Sequence, residues 1–377
     1  MAAAALRTHR ALRTDDVLAC VFSRLALHEG CVSVASVSKQ WRTAWRLHAK
    51  GLYRPVRLGI GEFDYGDHIT ALADGSGVVV PDFNGHCLHL YSSEGERLYS
   101  SEGGVASQWA LNTPVAVAVD GEGVAWVVEH DDCQLRKARI DWETMEADES
   151  WTVAPPIVNF DQPIDLAISG DAVLVLCRVG GRSGHVFVLD RESGNTRYAF
   201  GSSAAPGGVD ELRCPSSLVV DGDYCFVAET YNQSIVVFNW REGTFVRRYG
   251  KTGDAPDMGG EFDGAYWDNI GPYDDDRKST EPGQFNEPFG LAIRNKMLYV
   301  SEKGGRRIQI LRLPDLLSGA DPEVVQIIPS PGGVELAGLC LDGDRLWCIG
   351  PPTPAVSGGG EAAGAYHSSI SIFAPIF

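Results

Sequence analysis

The chain has 377 residues, 43 glycines, nine cysteines and a formal net charge of −18. That length can bury a large core. The charge argues against a nucleic-acid backbone as partner, and no apolar run approaches the roughly 20 residues needed to cross a bilayer. The cysteines are odd in number and scattered with no C-x-x-C pair, so neither a zinc ribbon nor a disulfide framework is expected. They fit a reducing compartment, cytoplasm or nucleus. No metal or cofactor is expected.

In chain order, residues 1–11 read as a flexible N-terminus. The opening MAAAALRTHRALRT lacks acids and carries three Arg, a transit-peptide composition, but a helical pattern begins at once. Leu12, Val17, Leu18, Val21, Phe22 and Leu25 follow one helical face, with Thr14 or Asp15 as N-cap. A second short helix is expected around Cys31 to Ala35. A third carries Val37, Trp41 and Trp45 on one side and stops at Gly51. Helices confined to residues 12–52 make a thin core, so this module is expected to finish its packing on a partner.

From residue 53 the period changes to that of strands. YRPVRLGIG (53–61) is a lone strand. A proline followed by an alternating apolar run, a polar break and a second run then recurs from Pro114, Pro163, Pro215 and Pro288. Degenerate copies start at His68 and Leu336, and the steps between copies are 46, 49, 52, 73 and 48 residues. In FNEPFGLAIRNKMLYVSEKGGRRIQIL the strands are expected at Gly290 to Ile293, Met297 to Ser301 and Ile308 to Ile310, with Pro288 at the mouth of the first. Each meander but the last is followed by one more strand, such as TRYAFG or EVVQIIPS. Six strand-rich copies near one period point to a mainly β, six-bladed propeller over residues 53–377. The spare strand 53–61 is expected beside the C-terminal strand 369–377, closing the ring and removing the open edges.

Two columns run through the repeats. Val79, Trp126, Phe226 and Tyr299 are expected in the core between blades. Three residues on, Asp82, Glu129, Glu229 and Glu302 are expected to accept backbone N–H groups of the following turn. The third copy has Cys177 and Arg178 there instead. His86 and His89 are three apart on a strand and face opposite ways, so a metal shared between them is not expected. GTFVRRYGKTG lacks the glycine spacing of a phosphate loop, and neither G-x-S-x-G nor H-E-x-x-H occurs.

The longest step contains an acidic and aromatic insertion, residues 251–284. Phe262, Tyr266, Trp267 and Tyr273 lie among its acids, which include Asp274, Asp275 and Asp276. Aromatic area and negative charge suit a basic protein partner, so these residues are the candidate substrate-binding set.

Residues 12–46 resemble an F-box, through Leu12, Asp15-Asp16-Val17-Leu18, Val21-Phe22, Leu25 and the closing Val37-Ser38-Lys39-x-Trp41. Arg13 stands where that family usually has Pro. The repeats are similar to NHL repeats, best at residues 288–310. The F-box resemblance implies docking on the Skp adaptor of a cullin–RING ubiquitin ligase through Leu12, Val17, Leu18, Val21, Phe22, Leu25 and Trp41. The propeller would then select a protein substrate, and the chain itself would catalyse nothing. The alternatives are a metal-dependent propeller hydrolase or lyase, whose ligands would converge on the central channel, and a non-ligase scaffold.

Overall fold

The computed structural model describes residues 53–101, 111–142, 146–147, 152–153, 162–180, 183–202, 208, 210–250, 281–354 and 366–375. The F-box-like segment and the 251–280 part of the insertion, with every candidate residue assigned to them, lie outside the described residues. The chain divides into one unit of residues 1–54 and 374–377 and a second unit, Pro55–Phe373. The second unit is a six-bladed propeller.

Its sheets follow one another along the chain, each antiparallel with the inner strand first. The first blade has β2 (Thr70–Ala71), β3 (Gly77–Asp82), β4 (Cys87–Ser92) and β5 (Arg97–Ser100). β1 (Tyr53–Phe63) precedes it in sequence but belongs to the sixth sheet. The second blade has β6 (Pro114–Val119), β7 (Val124–Glu129) and β8 (Gln134–Asp141), flanked by the short β9 (Glu146–Ala147) and β10 (Thr152–Val153). The third has β11 (Pro163–Ser169), β12 (Ala172–Val179), β13 (Ser183–Asp190) and β14 (Thr196–Phe200), with β15 (Leu212–Arg213) also on β13. The fourth has β16 (Pro215–Asp221), β17 (Tyr224–Glu229), β18 (Ser234–Asn239) and β19 (Thr244–Gly250). The fifth has β20 (Pro288–Arg294), β21 (Met297–Glu302), β22 (Arg307–Arg312) and β23 (Val324–Pro329). The sixth has β24 (Leu339–Asp342), β25 (Arg345–Pro354) and β26 (Tyr366–Pro375), and β1 pairs with β26.

The repeated proline is the first residue of its inner strand rather than a residue before it, and the pairing slips immediately after it in blades two to five. A residue without an N–H can open a ladder there, because the slip carries the missing donor. The two-residue turn Asn295-Lys296 has both φ values positive, 50° and 60°, as a tight hairpin requires.

Side chains alternate across each middle strand, so one strand feeds two cores. In β12, Val173 and Val175 pack with Trp126 and Val128 of the blade before. Leu174 and Leu176 pack with Val227 and Phe238 of the blade after. β12 is therefore apolar on both faces and buried over most of its length, whereas the outer β5 is mostly exposed. Each fully buried Val or Leu contributes about 1.5–3 kcal/mol. The apolar column lies in these cores: Val79, Trp126, Phe226 and Tyr299 are all buried.

Candidate functional site at the channel mouth

The acidic column is structural. Asp82 accepts the N–H of Gly85 in the following turn at 3.0 Å, as the sequence suggests. The glutamates reach back to the N–H two residues before their blade's proline. The donors are Asn112 for Glu129 (2.6 Å), Arg213 for Glu229 (2.7 Å) and Asn286 for Glu302 (3.1 Å). These bonds pin the loop that enters the inner strand, and Asp82 does the same through the N–H groups of Asp64 and Tyr65. Each glutamate also holds an arginine: Arg136, Arg248 and Arg307 respectively. Burial pushes the Glu129 and Glu302 carboxyls up, and the backbone donors and guanidiniums offset that only in part. Groups so fully engaged have no capacity left for a substrate.

The inner strands surround a channel of about 250 Å³. Its wall is mostly apolar, with Leu166, Leu218, Leu291 and Leu339 among the lining residues. His68, just before β2, and Asp165, in β11, also line it, and both are buried. The Nδ1 of His68 lies 3.5 Å from Oδ1 of Asp165. Asp165 is held rigidly: Oδ1 accepts the N–H of Leu166 and Oδ2 that of Leu218, both at 2.8 Å. The His68 ring lies 5.9 Å from that of Phe289, at the start of β20.

Charges gather beside this pair. Asp67 accepts from the Tyr65 hydroxyl at 2.9 Å and pairs with the Lys303 ammonium at 3.2 Å. Burial would raise the Asp67 carboxyl, but Lys303, His68 and the Tyr65 hydroxyl together hold it below its ordinary value. Lys303 follows Glu302 on the turn after β21 and sits 3.6 Å above the Phe289 ring, a cation–π contact. The ring of blades closes tightly here. Gly338 donates its N–H to the Asp67 carbonyl at 2.8 Å, and a Cβ at Gly338 would stand 2.2 Å from that oxygen. Only glycine allows the sixth blade to approach the Asp67–His68 backbone so closely. From the third blade, Arg178 donates to the Pro215 carbonyl at 2.8 Å; burial pushes its guanidinium below its ordinary value, and the nearby Cys214 and Asp67 offset that in part. The break in the acidic column thus brings a cation towards this mouth.

A divalent ion in the channel does not fit these residues. Among the described channel-lining residues the candidate ligands are His68, Asp165 and Cys340, which do not converge as a group of three, and the surrounding wall is largely aliphatic. Among the described residues the grouping of three metal-ligating side chains is Asp82, Cys87 and His89, none of which lines the channel. His86, which the sequence sets apart from His89, is exposed and accepts the Thr113 N–H at 3.0 Å, while His89 is fully buried.

No family model and no curated protein matches this chain. The F-box and NHL resemblances therefore gain no support from that side. Solved structures do match by fold. A luciferin-regenerating enzyme superposes with a TM-score of 0.56 at 10% identity, covering 86% of this chain and 96% of that one. A gluconolactonase from Xanthomonas campestris superposes at 0.50 with 14% identity, covering 85% and 95%. Both similarities are of fold. The expectation that the chain catalyses nothing is nevertheless corrected: these structural neighbours are enzymes, and the fold is one that carries catalysis.

Proposed function

We propose that this chain is a catalytic propeller of the hydrolase or lyase class, acting at the channel mouth on a small carbonyl compound such as an ester or lactone. The observation that carries the reading is the buried His68–Asp165 pair in the wall of the channel. With Nδ1 turned to a fixed carboxylate, Nε2 is the atom left to exchange a proton. His68 would take a proton from water as the water oxygen attacks the carbonyl carbon. It would return that proton to the leaving alkoxide as the ester C–O bond breaks. Lys303, held by Asp67 and Phe289, would face the negative charge that develops on the carbonyl oxygen. The aliphatic wall favours an apolar substrate body. A volume of about 250 Å³, below the roughly 300 Å³ usual for ligand pockets, favours a small one.

The metal requirement attached to the sequence-based alternative is dropped, because no three ligating side chains converge on the channel among the described residues. The gluconolactonase sets the first compounds to try. The test is turnover of a panel of small aryl esters, alkyl esters and lactones by the full chain. Expected is hydrolysis of at least one class at a rate unchanged by added calcium or magnesium, and reduced in Asp165→Asn. Turnover that appears only on adding a divalent cation would overturn the metal-free assignment, and no turnover of any class would count against the reading itself.

A second reading concerns the N-terminal segment. The pattern Leu12, Val17, Leu18, Val21, Phe22, Leu25 and Trp41 supports docking on a Skp-type adaptor and its cullin, independently of catalysis in the channel. The expected result is recovery of adaptor and cullin by the intact chain from lysate, lost in a Val21→Glu, Phe22→Glu variant. Equal recovery by both would remove this role.

A further inference from the structure

The first blade departs from its neighbours at the acidic column. On the strand after the acid, two alternate positions face it: Gln134 and Arg136 in the second blade, Arg307 and Gln309 in the fifth. The first blade has Cys87 and His89 at those positions, with Cys87 directly opposite Asp82. Residues two apart on a strand share a face, so carboxylate, thiol and imidazole converge by register alone.

All three residues are at most 1% exposed. His89 Nε2 lies 3.2 Å from Asp82 Oδ2 and 3.6 Å from Cys87 Sγ. The three donor atoms lie within 4.8 Å of one another. Tetrahedral zinc, with Zn–N and Zn–O near 2.0–2.1 Å and Zn–S near 2.3 Å, spaces N and O donors about 3.3 Å apart and N and S donors about 3.6 Å apart. A ring nitrogen carries at most one proton and can donate to only one of its two neighbours, whereas a cation between them serves both. The outer support is also present. Asp82 Oδ1 accepts from Tyr65 and Gly85, each at 3.0 Å, and Oδ2 from Asp64 at 2.8 Å. Oδ2 thus keeps capacity for a cation in place of the His89 proton. The Ser100 hydroxyl, 4.0 Å from Cys87 Sγ, borders the fourth corner.

We propose that Asp82, Cys87 and His89 form a buried site for a borderline-soft divalent cation, zinc by ligand type, that braces the first blade. The site is separate from the channel and would hold whether or not the channel is catalytic. Binding displaces the Cys87 thiol proton and any proton on His89 Nε2, leaving thiolate and neutral imidazole as ligands. The cluster sits at the base of the Phe83–His86 turn, where Asn84 and His86 are exposed, so opening of that turn admits the ion.

The test uses the full chain, reduced and stripped of metal, titrated with Co²⁺. Expected are thiolate-to-cobalt charge-transfer absorption and the intense visible bands of a four-coordinate ion, saturating at one ion per chain. Added Zn²⁺ should bleach these bands and raise the melting temperature. Cys87→Ser should lose the charge-transfer band. The double variant Cys87→Gln, His89→Arg, which installs the pair used by the second blade, should lose all bands. Absence of the bands in the unsubstituted chain, or their persistence in Cys87→Ser, overturns the site. Should the double variant fail to fold, those two measurements decide alone.

Discussion

Arg307→Leu is expected to destabilise the propeller by about 3–5 kcal/mol, the cost of leaving a buried charge without its counter-ion. Glu302 is fully buried, and the Arg307 Nε lies 3.0 Å from both of its carboxylate oxygens. The same guanidinium donates to the Gln284 carbonyl at 2.8 Å, tying β22 to the segment that leads into β20. Leucine supplies none of these bonds and removes the charge that opposes the burial of Glu302. The sign of the pH dependence follows. Burial already holds the Glu302 carboxyl above its ordinary value, despite Arg307 and Gln309. Without Arg307 the folded-state value rises further. The folded chain then binds the Glu302 proton more tightly than the unfolded chain, so stability is lost as pH rises through the folded value and regained as it falls. Urea unfolding at neutral and mildly acidic pH checks this. The variant's deficit should shrink at the lower pH, and adding Glu302→Gln should recover part of it. A deficit that grows towards low pH would contradict the assignment.

His68→Gln is expected to lower kcat by about 10²–10⁴-fold on whichever compound the chain turns over, the usual contribution of a positioned acid–base group. That corresponds to roughly 2.7–5.5 kcal/mol of transition-state stabilisation. KM should change little, because the apolar wall that holds the substrate body is untouched. Glutamine can fill the space beside Phe289 and Asp165, but it cannot shuttle a proton. A purely structural role would show as a lower melting temperature with kcat and KM moving together. Added imidazole should restore part of the activity of His68→Ala, an effect that a structural role would not produce.

The propeller was legible because its signals are local. Pro114, Pro163, Pro215 and Pro288 each open an inner strand, and the apolar runs after them form the blades. Tight turns such as Asn295-Lys296 punctuate them. The channel site was less legible. His68, Asp165, Phe289 and Lys303 come from the first, third and fifth blades, and no spacing along the chain links them. One signal was present nonetheless. At the third residue of the inner strand the second, fourth and fifth copies have Ala116, Ser217 and Gly290, and the third has Asp165. Of these, Asp165 and Ser217 line the channel, so a carboxylate in a column of small residues marked a candidate functional position. At the first blade, the pairing that matters is Cys87 with His89, which share a face, rather than His86 with His89.

By itself, the sequence determined that this is a chain of six strand-rich repeats, because side-chain alternation, proline placement and turn chemistry act within a few residues. Only the tertiary structure decided which acids are committed to holding loops, which one faces the channel, and that the described channel wall brings no three metal ligands together. Those outcomes depend on how far each side chain reaches. They also depend on which blades the ring brings together, and residues such as Asp67 and Lys303 meet only because the ring closes.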